Sequence, residues 1–351
     1  MNTSPKFTII LAAYQTAPYL PKALESIAGQ TITDFEVICY VEESTDDSLA
    51  ICRTQAEKDA RFKIVSAPKS GAVATTRNYG IDHASGEYLV AVDGDDWIAA
   101  NMLERLSRKI EMTGPVDVLS FSGIMTEIED VDWNSAQKFT NFGPSDDKEV
   151  FSGLEAIRRA GRNGGRMNNH TVLSIYRTSF LKARRLYQKD GLLMEDFEWT
   201  PRVWFHAERF AYLDEPFYVY RRRPGSLTTE TSGRIAIDIS RQFRSLADFA
   251  AANDVPADVR IIWSNQWLST FYWFMFHPVT SRKVSDAERR QALDVVLANG
   301  GAARFAEIAN RASLPKRVAM PFVMLAAKGW QWPAKFFFRC LYYPLLSIRE
   351  R

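Results

Sequence analysis

Short apolar runs alternate with helix-like segments from residue 7 onward, and that alternation is the strongest limit on how this chain can fold. Phe7 to Ala13, Phe35 to Val41, Phe62 to Ser66 and Tyr88 to Val92 read as strands. Between them lie three helical segments. Pro21 to Ala28 opens with proline in its first turn, a second runs to about Ala60 behind the cap-rich turn Ser44-Thr45-Asp46-Asp47, and Ala72 to His83 is the third. Repetition of this kind predicts an α/β fold with a doubly wound, mostly parallel sheet and right-handed crossovers.

The fourth strand ends in Asp93-Gly94-Asp95-Asp96-Trp97. Alone, an Asp-Gly turn is a solvated loop. Just beyond the carboxyl end of a parallel strand it stands where open α/β sheets place their ligand groups. Carboxylates this close repel one another unless water or a cation relieves them. An all-oxygen set suits Mg²⁺ or Mn²⁺, which is commonly held by one or two carboxylates plus substrate phosphates.

The next segments are a charged amphipathic helix, Met102 to Met112, and a strand, Val116 to Phe121. Ile124 to Gly165 loses its periodicity and reads as a long excursion with a helix near Gly153 to Ala160. Order returns through Leu173 to Leu186, a short run at Gly191 to Met194 and a helix from Phe197 to Ala207. Phe210 to Leu213 and Phe217 to Tyr220 read as two final strands. Beyond about Thr229 the pattern is helical, with helices at Ile235 to Ala252, Val259 to Phe276, Asp286 to Ala298 and Ala302 to Ala312. The expected division is an α/β domain over residues 1–228 and a helical region over 229–351.

With 351 residues, 46% hydrophobic and 25% charged, the chain has the make-up of a globular protein, and its net charge of +2 gives no reason to invoke nucleic acid. Cys39, Cys52 and Cys340 show no metal or disulfide spacing, which fits a reducing, cytoplasmic setting, and the N-terminal stretch lacks the make-up of a secretion signal. Ile261 to Ser281 is uncharged and long enough to span a bilayer. It carries several polar residues, however, and Trp263, Trp267, Phe271 and Phe274 share one helical face, so it reads as a packing helix. The tail, Leu314 to Arg351, interleaves seven lysines and arginines with eight aromatics and has one acid, Glu350. Two readings stand: peripheral attachment to an anionic membrane on its cytoplasmic face, or a terminal helix packed on the protein.

The order of motifs resembles the family 2 glycosyltransferases, whose fold is called GT-A. The residues that carry the resemblance run from residue 7 to about 228. They are Ala13-Tyr14-Gln15 with Pro18-Tyr19-Leu20, Ser26-Ile27 with Gln30-Thr31, and Ser44-Thr45-Asp46-Asp47-Ser48. Gly71 with Arg77-Asn78-Tyr79-Gly80-Ile81, Ala84-Ser85-Gly86-Glu87-Tyr88 and Asp93-Gly94-Asp95-Asp96 follow, then Glu195-Asp196 and Tyr218-Val219-Tyr220-Arg221 with Ser226. Where that family usually carries Asp-Asp-Gly this chain has Val41-Glu42-Glu43.

The resemblance implies inverting transfer from a nucleotide-diphosphate sugar, with UDP as the first choice of nucleotide, to a hydroxyl of a glycan or lipid-linked acceptor in cell-surface polysaccharide synthesis. By the same resemblance Tyr14 and Glu42 contact base and ribose, Arg77 stands beside the nucleotide or its phosphates, and Asp93-Gly94-Asp95 is the DxD signature. Asp95 is then the direct ligand of Mn²⁺ or Mg²⁺, with Asp93 nearer the ribose. Asp196 matches the catalytic base with Glu195 beside it, and Arg221 falls among diphosphate or acceptor contacts.

The chemistry asks for the same residue types. Breaking a glycosyl phosphate bond puts negative charge on the leaving diphosphate, which cations stabilise, and an attacking hydroxyl must give its proton to a base. Glu195 and Asp196 also suit the start of a helix, where acids are favoured by its dipole. A binding protein that keeps the pocket without turnover is the alternative, motivated by Val41 and Glu42. Nucleotidyl transfer is disfavoured because the N-terminus lacks a Gly-rich loop followed by Arg or Lys. His83, His170, His206 and His277 show no metal spacing and read as core or surface residues.

Overall fold

The computed structural model describes residues 4–133, 136–143, 146, 148–162, 167, 169–223, 233–277, 283–298, 319, 321, 323–326, 328–329 and 331–342. The expected helix at 302–312, Ser226 and nearly half of the tail lie outside them. The chain forms two compact units. The first comprises Met1–Asn163, Asn168–Gly191 and Trp199–Arg222; the second comprises Gly164–Met167, Leu192–Glu198 and Arg223–Arg351.

The first unit is built on a sheet whose first half follows the sequence pattern closely. Strands β1 (Phe7–Ala13), β2 (Phe35–Glu42), β3 (Phe62–Ala67) and β4 (Tyr88–Asp93) lie side by side in the order β3-β2-β1-β4, all parallel. Helices α1 (Leu20–Ala28), α2 (Ser48–Lys58) and α3 (Ala74–His83) make the crossovers. Every residue of β2 is buried, as befits a strand covered on both faces.

The second half of the sheet is mixed. β8 (Ser174–Arg177) enters between β4 and β6 (Val118–Thr126), antiparallel to both. β9 (Phe210–Arg221) pairs parallel with β6, and the two-residue β5 (Trp97–Ile98) closes that edge. β7 (Lys138–Phe139) pairs with β6 inside the expected excursion, which also contains α5 (Gly153–Arg162). α4 (Met102–Thr113) links β5 to β6, and α6 (Thr178–Ala183) follows β8.

One expectation is corrected. The two final strands are one, because the Asp214-Glu215-Pro216 stretch that reads as a break is absorbed by register shifts against Phe121, Ser122 and Gly123. A proline has no N–H to pair, and a bulge removes the need for one. The run at Gly191 to Met194 forms no strand; Gly191 and Met194 both have positive φ and Leu193 packs into the helical core of the second unit. α7 (Asp196–His206) follows it.

The second unit contains α8 (Gly233–Ala252), α9 (Ala257–Phe276) and α10 (Asp286–Leu297). Trp263, Trp267, Phe271 and Phe274 on α9 are all buried, and Trp267 stacks between Phe243 and Phe271 at centroid distances of 3.8 and 4.8 Å. Among the described residues no helix is long and apolar enough to cross a membrane. The tail helix Gln331–Phe337 and the π turn after it bury Ala334, Phe337, Phe338 and Tyr342 in the same cluster. Trp332 and Phe336, one turn apart and stacked at 5.3 Å, are 72% and 52% exposed.

One buried acid stitches the parallel half together. Glu36 on β2 accepts hydrogen bonds from Thr8 Oγ1 on β1 at 2.7 Å, Ser85 N and Oγ at 2.9 and 2.6 Å, and Lys63 Nζ on β3 at 2.6 Å. Ser85 precedes Gly86, where a Cβ would lie 2.5 Å from Thr8 N, so only glycine lets the chain enter β4 this close to β1. Burial alone would raise the Glu36 pKa. Lys63, Ser85 and Thr8 outweigh it and hold the carboxyl at about 2. Its stabilisation is therefore complete above the unfolded-state value near 4.5 and is lost as pH falls from there toward 2. Glu36→Gln is expected to lower unfolding free energy at pH 7 by on the order of 2–3 kcal/mol, with the gap from wild type closing below pH ~4 in urea titrations.

Candidate active site

The carboxyl ends of β1, β2, β4 and β9 converge around the acidic motif, and the strand order reverses beside β1, where ligands of such sheets bind. Gly94 follows β4 with its N–H on Ala12 O at 2.8 Å; a Cβ there would lie 2.9 Å from Ala12 O and Thr16 Oγ1. The glycine thus lets the acid-bearing turn press against the end of β1.

The three acids occupy three different environments, which is how the crowding is relieved. Asp93 pairs with Arg77 of α3, Nη2 to its two oxygens at 3.0 and 3.3 Å. Asp96 is 2% exposed and accepts from Tyr218 Oη at 2.6 Å and from Arg221 N at 2.8 Å. Burial first, then the charges of Asp95 and Asp93, push the Asp96 carboxyl well above its usual range. Asp95 is half-buried, and its carbonyl accepts from Arg221 Nε at 2.8 Å.

Arg221 is 6% exposed and lies between the rings of Tyr19 and Trp97, 5.0 and 4.7 Å from their centroids. Its Nη1 reaches Glu129 at 2.6 Å, whereas its buried Nη2 has no hydrogen-bond partner among the described residues. Two arginines thus flank Asp93 and Asp95, one on each side of the motif.

The ends of β1 and β2 form the neighbouring wall. Tyr14 is 37% exposed, with Lys69 Nζ 4.5 Å from its ring centroid and bonded to its hydroxyl at 2.5 Å. Glu42 is buried and accepts from Ser70 Oγ, and beside it a cavity of about 310 Å³ opens between Val41, Ser44, Leu49 and Pro68. Asp46 accepts from Ala17 N and Ser44 Oγ, each at 2.8 Å, and from Ser48 N at the start of α2 at 3.2 Å, so the cap-rich turn before α2 also ties the loop after β1 to the loop after β2. The Arg77-Asn78-Tyr79-Gly80 run divides its labour similarly. Asn78 clasps the backbone of Gln188 through both amide atoms, and Gly80 lets α3 close on Ile10 of β1.

Of the residues singled out from sequence, Tyr14, Glu42, Arg77, Asp93, Gly94, Asp95 and Arg221 belong to the first unit; Glu195 and Asp196 belong to the second. Glu195 is buried and Asp196 opens α7. Sequence reasoning gave no role to Tyr218, Lys69 or Ser70. It also read His170 as an ordinary core or surface residue. His170 instead lies near Arg77 and Asp93, because β8 runs antiparallel to β4 and the residues before it reach the end where β4 finishes. Burial, then Arg77, push its imidazole down to about 4, which keeps it neutral at physiological pH. The signal for Tyr218 lay in its place three residues ahead of Arg221, on a strand whose end had to meet the acids.

No cluster of three or more His, Cys, Asp or Glu side chains arranged to hold a metal occurs among the described residues. The donor set nevertheless fits a Mg²⁺- or Mn²⁺-like ion, which takes one or two carboxylates and fills its remaining positions with water and phosphate. Asp96 is buried and committed to Tyr218 and Arg221, whereas Asp93 and Asp95 are both partly exposed.

Tyr218→Phe removes a hydroxyl that both donates to Asp96 and accepts from Asp93 N at 3.1 Å. Two buried polar groups then lose a partner, so a loss of about 1–3 kcal/mol in unfolding free energy is expected. A change under ~0.5 kcal/mol, the scale of an ordinary surface substitution, would show that the acid has other support.

The family model described as Glycosyl transferase family 2 matches residues 8–185. A relative from Bacillus subtilis (strain 168), "Uncharacterized glycosyltransferase EpsJ", is 28% identical over 227 residues, covering 64% of this chain and 63% of that protein. The chain spans under two thirds of the length of that relative, as of several others it matches. S. aureus TarS 1-349, solved in complex with UDP-GlcNAc, superposes with a TM-score of 0.72 at 22% identity over 95% of this chain and 91% of that one. The mannosyltransferase PcManGT of Pyrobaculum calidifontis, solved with GDP-Man and Mn²⁺, gives 0.54 at 18% identity over 94% and 88%. These likenesses show the fold, the GT-A arrangement expected from the motifs.

Proposed function

Because the chain belongs to glycosyl transferase family 2, we propose that it transfers a sugar from a nucleotide-diphosphate donor, with UDP the first candidate, to a hydroxyl of a glycan or lipid-linked acceptor in cell-surface polysaccharide synthesis. The observation that carries this reading is the array at the strand ends, in which Arg77 and Arg221 flank the Asp93-Gly94-Asp95 turn. Acids that suit a cation and guanidinium groups that suit an anion stand side by side, the residue types that would hold a diphosphate and its divalent cation. The solved complexes of TarS with UDP-GlcNAc and of PcManGT with GDP-Man and Mn²⁺ support the same donor class.

In this reading Tyr14, Glu42 and the cavity beside Glu42 receive the base and ribose, and Gly94 lets the diphosphate approach the backbone. Arg77 orients Asp93, and the unpaired Nη2 of Arg221 hydrogen-bonds a phosphate oxygen. Asp95, with Asp93, would hold a Mn²⁺ or Mg²⁺ ion, which would supply charge stabilisation to the leaving diphosphate. Asp196, with Glu195 beside it, accepts the proton of the acceptor hydroxyl as it attacks the anomeric carbon from the face opposite the leaving group. A single displacement of that kind inverts the configuration. The arginines contribute most where charge develops during bond breaking, and there they need no reorganisation.

A donor panel scored for divalent-metal-dependent release of nucleoside diphosphate tests this. Wild type is expected to release diphosphate from one nucleotide sugar and to stop in excess chelator. Asp95→Asn keeps the shape of the side chain without its charge, and turnover should fall by at least about 10²-fold. Equal turnover by that variant, or with chelator present, would remove the metal-dependent reading.

The tail supplies a peripheral membrane contact in the same proposal. Trp332 and Phe336 stand exposed on a segment rich in Lys and Arg, the composition that partitions into a headgroup layer. Wild type should co-sediment with anionic vesicles in a salt-sensitive manner, and the double variant Trp332→Ser, Phe336→Ser should not. Identical sedimentation of the two would assign the exposed pair no membrane role.

A further inference from the structure

The acidic pair Glu195-Asp196 sits on a segment, Leu192–Glu198, that belongs to the helical unit. Three polar side chains of α8 hold that segment. Asp238 Oδ2 accepts from Leu193 N at 3.3 Å, Gln242 Nε2 donates to Leu193 O, and Ser245 Oγ donates to Glu198 Oε1 at 2.8 Å. They stand at i, i+4 and i+7, one face of the helix. Both polar groups of the Leu193 backbone are thereby caught between two successive turns of α8, while its side chain is buried in the helical core with Met194 against it.

Asp238 and Gln242 are 0% and 1% exposed beside a core cluster of aliphatic, methionine and aromatic side chains. A buried carboxylate and a buried amide are costly there, and apolar residues would pack α8 as well or better. Arg234 and Arg241, both about half exposed, offset the acid's charge from the rim at 3.4 and 3.0 Å. What these polar groups accomplish in return is to fix Leu193. Directly after it Met194 adopts a φ of 61°, a left-handed conformation that a side-chain-bearing residue holds only when its surroundings over-determine it. That turn sets the direction in which Glu195 and Asp196 leave the segment.

We propose that Asp238, Gln242 and Ser245 are positioning residues for the acceptor-activating step: α8 fixes the attitude of Asp196 by clasping Leu193 before the acidic pair and Glu198 after it. The inference rests on the reading of Asp196 as the base. It assigns the helical region a part in the chemistry, and it separates donor binding from turnover. Loosening the clasp shifts a base by a fraction of an ångström to an ångström, which costs rate without touching the nucleotide contacts.

The test measures kcat and donor KM by nucleoside diphosphate release, UDP affinity by calorimetry and melting temperature, in the full chain and its variants. Gln242→Leu should lower kcat by about 10- to 100-fold, with donor KM and UDP affinity within about twofold of wild type. Gln242→Glu matches the shape of the amide, but its carboxylate cannot donate to Leu193 O. Its kcat relative to wild type should therefore recover as pH falls and the acid regains a proton. Should Gln242→Leu fail to fold, Ser245→Ala, which leaves the Leu193 clasp intact, should show a smaller fall in kcat at unchanged KM. Asp196→Asn is the control. If it leaves kcat unchanged, the base assignment fails and this inference with it. If it lowers kcat while Gln242→Leu and Gln242→Glu do not, or if kcat and UDP affinity fall together in the Gln242 variants, the clasp alone is overturned.

Discussion

The site depends on one buried carboxylate. Asp96 is the acid least able to meet a ligand, yet it determines where the other two stand. Its two oxygens take the Tyr218 hydroxyl and the Arg221 backbone N–H, both from the far end of β9. The same tyrosine oxygen receives the N–H of Asp93. A strand that ends in the acids and a strand that ends in an arginine are thus locked together through one side chain. Leaving that carboxyl unpartnered would cost more than the bonds contribute, so the arrangement is close to all-or-none.

Around that lock the charges sort themselves by exposure. Asp96 is shielded and its pKa is raised; Asp93 is paired with Arg77; Asp95 is half-buried with its carbonyl already fixed by Arg221. Three acids in four residues would repel if all were alike, and the fold gives each a separate environment. Arg221 is held as firmly as the acids are. Two aromatic faces and the Glu129 carboxylate confine a side chain that would otherwise sample many rotamers, and confinement before a ligand arrives reduces the entropy lost on binding.

The parallel half of the sheet was legible because its strands are buried on both faces and so read as unbroken apolar runs; β1 to β4 lie within a residue or two of where Phe7, Phe35, Phe62 and Tyr88 announce them. The later half was less so. β8 has only four residues, too few for a period to declare itself, and its insertion between β4 and β6 is a property of the whole chain. β9 reads as two strands because Pro216 interrupts the pattern that a bulge then repairs. The acids and arginines of the motif were visible by type and spacing, but their partners were not. Tyr218 stood in a motif without a role of its own, His170 stands alone, and Asp238, Gln242 and Ser245 are scattered polar residues on a largely apolar helix. Each gains meaning only from a residue far away in sequence.

The insertion of β8 has a consequence for how the chain is made. β4 and β6 are complete by Thr126, but the strand that joins them ends at Arg177, and the partner that covers the other side of β6 runs to Arg221. During synthesis both β4 and β6 therefore present open backbone edges while the intervening loop and α5 emerge. Long-range pairing of this kind slows folding, and unpaired edges invite pairing with other chains. On the ribosome the nascent protein passes through an interval in which its sheet is half closed, and the growing chain itself must end that interval by threading four residues into the gap.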